Sequence, residues 1–293
     1  MRVLITGCNG QVGSCLNEQL ANNENTTVLA LDRQRLDITN QDAVNAVVTE
    51  FQPSVIINAA AHTAVDKAEE EVDLSYAINR DGPQYLAQAA QSMGAAILHI
   101  STDYVFGGDK NGEYAESDAT NPQGVYGESK LAGEMAVAKA CDKHIILRTA
   151  WVFGESGNNF VKTMLRLGRT RDALSIVGDQ FGGPTYAGDI AKALIQIAKC
   201  ITQDDTVEYG VYHFSGLPHV SWYDFAVAIF DVAVEQKVLV DKPALTSITT
   251  DQYPTPAKRP SYSRLSNEKI KTNFFIEASD WKVALNNIQA YTD

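Results

Sequence analysis

The chain has 293 residues, 45% of them hydrophobic, which is enough for a large core and too many for one small domain. Its net charge of −12 disfavours nucleic acids and anionic membranes as partners. The four cysteines show no C-x-x-C spacing and are too sparse for a disulfide scaffold. The sequence shows no signal-peptide core and no apolar run of membrane-spanning length, so we expect a soluble, cytoplasmic protein.

Short β-branched runs alternate with longer stretches of helical period up to about residue 150. These runs are RVLIT, TVLALD, SVIINAA, AAILHIST and HIILRTA. Strands that are apolar on both faces form parallel sheets covered by helices. The pattern therefore predicts an α/β fold with a doubly wound parallel sheet of the Rossmann type.

The pattern loosens after AWVFG. It then predicts helices near 159–169 and 188–202, strands near 174–177 and at GVYHFSG, and a last helical stretch near 280–290. We expect a dinucleotide-binding domain over 1–150, with returning segments about 174–215. A smaller mixed C-terminal substrate lobe would comprise 151–173 and 216–293, with the site in the cleft at the carboxyl ends of the strands.

The first chemical signal is TGCNGQVG, in which Gly7, Gly10 and Gly13 follow a strand and lead into a helix. Residues without side chains let the backbone bend and let a pyrophosphate approach the helix N-terminus, where Gln11 and Val12 would present their amides. A glycine turn without a ligand is the alternative. The G-x-x-G-x-x-G spacing is the form seen in extended short-chain dehydrogenase/reductases.

The second strand ends in Asp32, whose carboxylate can accept both ribose hydroxyls of an adenosine. Its charge favours NADH, whereas the neighbouring Arg33 and Arg35 could neutralise the extra phosphate of NADPH. Both cofactors therefore stay open.

The segment INAAAHTAVDKAE places small residues at the end of the third clear strand, where a flat ring could pass close to the backbone. These residues are Ala59, Ala60 and Ala61, and His62 and Thr63 follow them at the cleft edge. The five histidines show no zinc-binding spacing, so His62 is predicted to hydrogen-bond the cofactor rather than a metal.

The segment VYGESKLAGE places Tyr126 and Lys130 one helical turn apart. Such a pair alone is weak evidence, because two neighbours on a solvated helix face would look the same. The pair follows a dinucleotide-type fold and the strand end Ser101-Thr102-Asp103. A hydroxyl from that strand and a phenol from the helix could converge on one carbonyl oxygen, which predicts carbonyl reduction.

A carbonyl that receives hydride becomes an alkoxide and needs a proton, which Tyr126 would donate. We expect the Lys130 ammonium and a bound nicotinamide ring to lower the pKa of this phenol below its ordinary value of about 10. Lys130 would also hydrogen-bond the nicotinamide ribose, and Thr102 would hold the carbonyl oxygen. Asn79 is a candidate to anchor a water behind the lysine, with helix capping or packing as the alternative.

Several segments together resemble the dTDP-4-dehydrorhamnose reductase family over most of the chain: TGCNGQVG, NAAAHTAVDKAE, STDYVFGG, YGESKLAGE, RTAWVFG, NF, DQFGGPT and KRPSYSRL. The resemblance implies reduction of the 4-keto group of dTDP-4-dehydro-L-rhamnose to dTDP-L-rhamnose, with NADH or NADPH, for polysaccharide biosynthesis. It places the catalytic residues at Thr102, Tyr126 and Lys130. It places cofactor contacts at Gly10, Gln11, Val12, Asp32, Asp37, Ile38, Ala61, His62, Thr63, Tyr126 and Lys130, and substrate contacts at Thr102, Asp103 and Trp151.

Two further side chains each have two possible roles. Trp151 follows a strand and by pattern alone would more often be a core residue than a ligand contact. Arg259 in KRPSYSRL could bind the nucleotide diphosphate, since an arginine fork suits phosphate oxygens, or could form a surface ion pair.

Two positions depart from the family pattern. Tyr262 stands where the family usually has asparagine, near the substrate lobe. Some relatives form a Mg²⁺-bridged dimer through carboxylates, and one of those positions corresponds to Cys15, whose thiol is a poor magnesium ligand. We therefore expect no dedicated metal site, with Mg²⁺ possible by family resemblance only, and a monomer or homodimer.

Two other functions stay open at this stage. A nucleotide-sugar epimerase or dehydratase shares the fold and the Tyr/Lys pair, but a dehydratase of this group is expected to carry Asp-Glu where this chain has Asp103 and Tyr104. A non-catalytic NAD(P)-binding subunit, similar to the regulatory subunit of methionine adenosyltransferase, is the other. The intact Thr102, Tyr126 and Lys130 set argues against that second function.

Overall fold

The computed structural model describes residues 1–21, 23, 25–203 and 206–292. The strands are β1 Arg2–Thr6, β2 Thr27–Leu31, β3 Val55–Asn58, β4 Ala96–Thr102, β5 His144–Thr149, β6 Val152–Phe153, β7 Ala173–Val177, β8 Phe181–Gly182, β9 Thr185–Tyr186, β10 Gly210–His213, β11 Gly216–Leu217, β12 Val220–Ser221, β13 Ala244–Ile248 and β14 Ser279–Asp280.

The α-helices are α1 Gln11–Leu20, α2 Gln41–Phe51, α3 Val65–Ala68, α4 Val72–Tyr76, α5 Gly82–Met93, α6 Val125–Ala140, α7 Phe160–Gly168, α8 Ala187–Gln203, α9 Trp222–Glu235, α10 Glu268–Phe274 and α11 Trp281–Leu285. A π-helical turn, Ala77–Asp81, joins α4 to α5. Short 3₁₀ turns occupy Asp103–Val105, Thr250–Gln252 and Ile288–Tyr291. Among the described residues, no helix combines the length and the apolar character needed to cross a membrane.

The main sheet has six parallel strands in the order β10-β5-β4-β3-β1-β2. From β1 the chain moves to β2 on one side and then returns to β3 on the other. The strand order therefore reverses beside β1, and ligands of open α/β sheets bind outside the carboxyl ends of strands at such a point. The glycine turn after β1 and the alanine-rich segment after β3 both lie there.

Helices cover both faces of this sheet, which confirms the predicted doubly wound α/β fold. Side chains of β1 alternate between two cores: Val3 and Ile5 pack with α1 and α8, whereas Leu4 packs with α2, α5 and the end of α6. All four residues of β3 are buried, as expected for a strand in the middle of such a sheet.

The later part of the chain builds a separate core around α7, α9 and α11. Strand β7 pairs in parallel with β13 beside this core and not with the main sheet. The predicted return to the first domain at about residue 174 is therefore wrong at its start, because α8 and β10 rejoin the main sheet while β7 does not. The pattern of an isolated strand does not specify its partner, which is why the sequence placed it incorrectly.

Candidate active site

The glycine turn is shaped by close backbone contacts. Gly7 has φ +71, and a Cβ built on it would lie 2.6 Å from the amide nitrogen of Ala60. A Cβ on Gly13 would lie 2.1 Å from the Gly7 carbonyl oxygen. The residue that precedes α1 is Gly10, so no side chain caps the helix and the first-turn amides of Gln11 and Val12 are left for a ligand. The turn therefore fits a pyrophosphate group.

Asp32 lies at the end of β2 and faces the glycine turn. Its Oδ1 accepts from the amides of Gln34 at 3.1 Å and Arg35 at 3.0 Å, and its Oδ2 accepts from Asn9 Nδ2 at 3.0 Å. Arg33 and Arg35 are exposed. The carboxylate is thus fixed at the position predicted for a ribose contact, with both arginines still in reach of solvent.

Two further predicted cofactor contacts follow in the same loop. Asp37 accepts from the hydroxyl of Thr39 at 2.7 Å and from its amide at 3.0 Å, and these bonds lower the pKa of the carboxyl. Ile38 is buried against Gly82, where an added Cβ would lie 2.6 Å from the isoleucine Cδ1. Ile38 therefore fixes the loop on α5, while Asp37 keeps a charged carboxylate.

The segment after β3 is held by Asn79, which is fully buried in the π-helical turn. Its Oδ1 accepts from the amide of His62 at 2.8 Å, and its Nδ2 donates to the His62 carbonyl at 3.1 Å and to Ser129 Oγ at 3.0 Å. Asn79 therefore ties the predicted cofactor segment to α6. Of the roles considered from sequence, packing and positioning describe these contacts.

The ring of His62 is already engaged on both sides. Its Nδ1 lies 2.9 Å from Ser75 Oγ, and its Nε2 lies 3.1 Å from a carboxylate oxygen of Glu71. The neighbour Ala61 is half-buried and Thr63 is exposed. The structure thus leaves the backbone of this segment, rather than the imidazole, to face a cofactor.

Thr102, Asp103 and Tyr126 meet at the end of β4. Thr102 Oγ1 donates to Asp103 Oδ1 at 2.9 Å and accepts from the Tyr104 amide at 3.2 Å. The Thr102 hydroxyl is also near enough to the Tyr126 phenol to lower its pKa. The Tyr126 ring packs edge-on against Tyr104, with 5.4 Å between centroids. The structure therefore brings together the hydroxyl and the phenol that the sequence predicted would converge.

Lys130 lies one turn further along α6 and is 1% exposed. Its Nζ donates to the Ile100 carbonyl at 2.7 Å. Burial lowers the pKa of Lys130 to about 8, against the opposing attraction of Glu134. The amine is thus fixed on β4, and only part of its hydrogen-bonding capacity is free for a ribose.

The predicted depression of the Tyr126 pKa, which invoked a bound nicotinamide ring as well as Lys130, stays a prediction. Among the groups of the chain itself, burial dominates and raises the pKa of Tyr126 to about 12, and the Thr102 hydroxyl only partly offsets it. Lys130 does not counter this because its ammonium is directed to the Ile100 carbonyl. The phenol is therefore protonated near neutral pH, which is the form needed to donate a proton to an alkoxide.

Two glycines of YGESKLAGE let α6 approach its neighbours, a role that the sequence did not reveal. A Cβ on Gly127 would lie 2.3 Å from the Tyr104 carbonyl oxygen, and one on Gly133 would lie 2.0 Å from that of Asn79. Both positions are buried. Glycine in the interior of a helix is unfavourable. The presence of two glycines inside the predicted helix was therefore the sequence signal of close backbone packing.

Trp151 lies just after β5, with φ +46 and a partly exposed side chain. Its ring stacks on Trp222 with 3.5 Å between centroids and an interplanar angle of 6°. A Cβ on Gly182 would lie 2.5 Å from Trp151 Cε2. The tryptophan thus packs on the second core while keeping an accessible part, and its contact with a ligand stays a prediction.

Arg259 forms a two-pronged ion pair with Asp66, with Nη1 to Oδ1 at 3.1 Å and Nη2 to Oδ2 at 2.9 Å. Of the two alternatives, this structure contains the ion pair. The departure at Tyr262 has a local partner as well, since its ring stacks on Phe181 at 5.8 Å and the Arg264 guanidinium lies 5.0 Å from its centroid.

Within the residues that the structure describes, no group of three histidine, cysteine, aspartate or glutamate side chains is arranged to hold a metal ion. Cys15, at the position considered for magnesium, is buried, and burial raises the pKa of its thiol to about 11. A buried neutral thiol does not suit Mg²⁺.

Comparison with known proteins places the chain in a family. The family model described as the RmlD substrate binding domain matches residues 1–292. The chain is 57% identical to a dTDP-4-dehydrorhamnose reductase of Aggregatibacter actinomycetemcomitans over 292 residues, which cover 100% of this chain and 99% of the relative.

Two solved structures are similar along nearly their whole length. A dTDP-4-dehydrorhamnose reductase of Clostridium acetobutylicum superposes with a TM-score of 0.89 at 45% identity, covering 99% of this chain and 98% of that one. The enzyme of the same name from Bacillus anthracis, in complex with NADP, superposes with a TM-score of 0.90 at 41% identity and covers 98% of each chain. Together with the family model and the bacterial relative, these matches show that the chain belongs to the dTDP-4-dehydrorhamnose reductase family.

Proposed function

We propose that this protein reduces the 4-keto group of dTDP-4-dehydro-L-rhamnose with NADH or NADPH and so forms dTDP-L-rhamnose for polysaccharide biosynthesis. The observation that supports the proposal is that Thr102, at the carboxyl end of β4, lies near Tyr126 of α6, while Lys130, one turn further along that helix, donates to the carbonyl of Ile100 in the same strand. The name and the full-length similarity of the relatives support the same substrate.

The residues present fit a dinucleotide. The uncapped first turn of α1 would bind the pyrophosphate, the carboxylate of Asp32 would contact a ribose, and the backbone after β3, which passes close to Gly7, would lie against the cofactor. The similar Bacillus anthracis enzyme was solved with NADP. When bound, the nicotinamide supplies the hydride, and Lys130 would hydrogen-bond its ribose.

The proton comes from the chain. Tyr126 holds its phenolic proton at neutral pH because burial raises the pKa of the side chain to about 12. An alkoxide is more basic than a phenolate, so transfer from Tyr126 to the newly formed oxyanion is downhill. Thr102, which donates to Asp103 and lies near Tyr126, would help to hold the substrate oxygen beside this phenol.

The other proposed contacts extend the site toward the substrate. Trp151, with its accessible edge beside the second core, and Asp103 would contact the sugar. Arg259 would contact the diphosphate after it leaves Asp66. Apart from the start of the returning segment, which is wrong, the domain division stays a prediction, as do the cytoplasmic location and the monomeric or dimeric state.

A direct assay tests the proposal and separates it from the other two functions. We would follow oxidation of NADH and of NADPH with dTDP-4-dehydro-L-rhamnose and with other 4-keto deoxysugar nucleotides. We expect turnover with the rhamnose precursor and one-to-one oxidation of the cofactor. A dehydratase or epimerase would instead retain oxidised cofactor through purification without net oxidation, and a binding subunit would show neither activity.

A further inference from the structure

Behind Lys130 lies a buried ion pair that the mechanism above does not use. Glu134, one turn beyond Lys130 on α6, accepts from Arg148 of β5 with Nε to Oε1 at 2.9 Å and Nη2 to Oε2 at 2.7 Å. The side chains are only 4% and 5% exposed. A buried pair of this kind is weak evidence for stability, because desolvation of both charges offsets much of their attraction. Its position suggests another use.

Consecutive residues at the end of β4 are bonded to successive turns of α6. The Ile100 carbonyl accepts from Lys130 Nζ at 2.7 Å, and Ser101 Oγ donates to Glu134 Oε1 at 2.5 Å. The next residue, Thr102, lies near the tyrosine one turn before Lys130 and lowers the pKa of its phenol. The Glu134 carboxylate thus completes a set of contacts that fixes the helix against the catalytic strand end.

The far side of the pair is held in place by a neutral histidine. Arg148 Nη1 lies 3.5 Å from His213 Nε2, and His213 Nδ1 lies 3.1 Å from the Tyr114 carbonyl oxygen. Burial and the nearby Arg148 lower the pKa of His213 to about 3, so the ring stays uncharged at neutral pH. Arg148 is therefore directed to Glu134, the carboxylate within its reach.

We propose that Glu134, anchored by Arg148, is a positioning residue that fixes Lys130 against β4 and keeps its amine charged during turnover. This inference rests on the proposed reductase function. Lys130 would contact the cofactor, whereas Glu134 would act only through Lys130 and Ser101.

The charges around Lys130 support this role. The titratable groups on α6 and on the elements that pack against it are, besides Glu134, the following: Tyr126, Glu128 and Lys139 of α6, Asp66 and Lys67 of α3, Asp73 and Tyr76 of α4, Arg80 and Asp81 of the π-helical turn, Tyr85 of α5, His99 of β4, Asp103 and Tyr104 of the turn after β4, and His144 and Arg148 of β5. Glu134 is the neighbour that raises the pKa of Lys130. His99 is buried and uncharged, because burial and Lys130 itself hold the pKa of its ring well below the ordinary value. An uncharged residue at 134 would therefore leave Lys130 easier to deprotonate.

The experiment is the pH dependence of kcat/KM in Glu134→Gln, which keeps the shape and the one oxygen that accepts from Ser101 and from Arg148 Nε, but removes the charge and the second acceptor. We expect the alkaline limb to move to lower pH by about one unit, since a nearby opposite charge shifts a pKa by roughly that much. The pH dependence of NADPH binding, read from nicotinamide fluorescence, should move in the same direction. That second readout needs no sugar substrate.

Two control variants separate positioning from folding. Arg148→Met leaves the carboxylate charged, so its alkaline limb should not move to lower pH even though stability falls. The double variant Glu134→Met/Arg148→Met replaces the pair by apolar side chains and should fold well. Its alkaline limb should nevertheless lie at lower pH than that of the wild type, as in Glu134→Gln. It preserves the test if Glu134→Gln fails to fold.

The outcomes are distinct. The wild-type protein could reduce the sugar while the alkaline limb stays unchanged in both Glu134→Gln and the double variant. That result would overturn the inference and leave the proposed function standing. Loss of activity in proportion to thermal stability in all three variants, with no movement of either pH profile, would also overturn it. A wild-type protein that fails to reduce the sugar would instead refute the proposed function.

Discussion

The Thr102 hydroxyl donates its hydrogen bond to the carboxylate of Asp103 over 2.9 Å at the end of β4. Asp103 is 2% exposed, and burial raises the pKa of its carboxyl to about 6 against the opposing effects of the Ser263 and Thr102 hydroxyls. The catalytic strand thus ends in an acid whose charged form is unfavourable in the folded protein.

Asp103→Asn should therefore stabilise the protein at neutral pH. The folded-state pKa lies above the ordinary value of 3.8, so the native state binds more protons between about pH 3.8 and 6, and wild-type stability falls as the pH rises through that range. Above about pH 6 the folded protein bears the full cost of ionising the buried Asp103 carboxyl, up to about 3 kcal/mol at about 1.4 kcal/mol per pH unit. Urea unfolding of both proteins across pH 3 to 8 measures the difference.

A matched control has the opposite sign. Asp118 is bonded to Lys110 and to the Ala115 amide, which lower the pKa of its carboxyl. Asp118→Asn should be destabilising at neutral pH, and its difference from wild type should vanish as the pH falls. An Asp103→Asn protein that is less stable than wild type at pH 7 would show that the buried carboxylate is favourable.

Tyr126→Phe tests the proton donor. Loss of the phenol should reduce kcat by about 10²- to 10⁴-fold, the usual contribution of a positioned general acid. NADPH binding should change little, because the ring and its edge-on contact with Tyr104 are kept. Turnover is measured by NADPH oxidation and binding by fluorescence. Full reductase turnover in the variant would remove Tyr126 from the mechanism.

Lys130→Met should separate stability from activity. Burial lowers the pKa of Lys130 from 10.5 to about 8, so the unfolded chain binds more protons between those values and wild-type stability rises with pH there. Below pH 8 the folded protein carries the full cost of the buried ammonium. After allowance for the lost bond to Ile100, the variant should be more stable at pH 7 by about 1 to 3 kcal/mol.

The same variant should lose most reductase activity, since the charged amine is gone. Thermal unfolding at several pH values, compared with wild type, is the measurement. A variant that is both inactive and clearly less stable at pH 7 would mean that the ammonium contributes more through its hydrogen bonds than its burial costs.

The sequence predicted the parts of the site that depend on local spacing. Tyr126 and Lys130 are one turn apart on one helix, and Thr102 ends a strand, so their meeting follows from the parallel sheet itself. The pKa of Tyr126 could not be predicted in the same way, because it depends on where the Lys130 amine points and on how much water remains. The partner of β7 was equally hidden, since pairing with β13 joins segments far apart in the chain.

Gln11 and Asn159 offer a test of coupling between the two parts of the site. Asn159 Nδ2 donates to Gln11 Oε1 at 3.1 Å and to the Gly154 carbonyl at 2.7 Å, while its Oδ1 caps α7 by accepting from Lys162 N at 3.1 Å. The first residue of α1 is thus bonded to the loop that follows Trp151. Cofactor binding at the glycine turn should therefore order the loop beside the sugar.

Asn159→Asp keeps the helix cap but cannot donate to Gln11. We expect bound NADPH to strengthen dTDP binding in the wild type, and the variant to lose about 1 kcal/mol or more of this coupling, a typical allosteric magnitude. Titration calorimetry of dTDP with and without NADPH measures it, and Gln11→Ala should give the same loss. Equal coupling in all three proteins would contradict the relationship.

The role of Arg259 can be decided by comparing substitutions of Arg259 with substitutions of its ion-pair partner Asp66. The Arg259 and Asp66 side chains are 27% and 40% exposed, so breaking their ion pair should cost less than about 1 kcal/mol of folding free energy. If Arg259 binds the diphosphate, Asp66→Asn should release it and lower the KM for the sugar nucleotide, whereas Arg259→Met should raise that KM with little change in kcat. Steady-state kinetics of the two variants gives the answer, because a purely structural ion pair predicts that both substitutions change KM in the same direction, if at all.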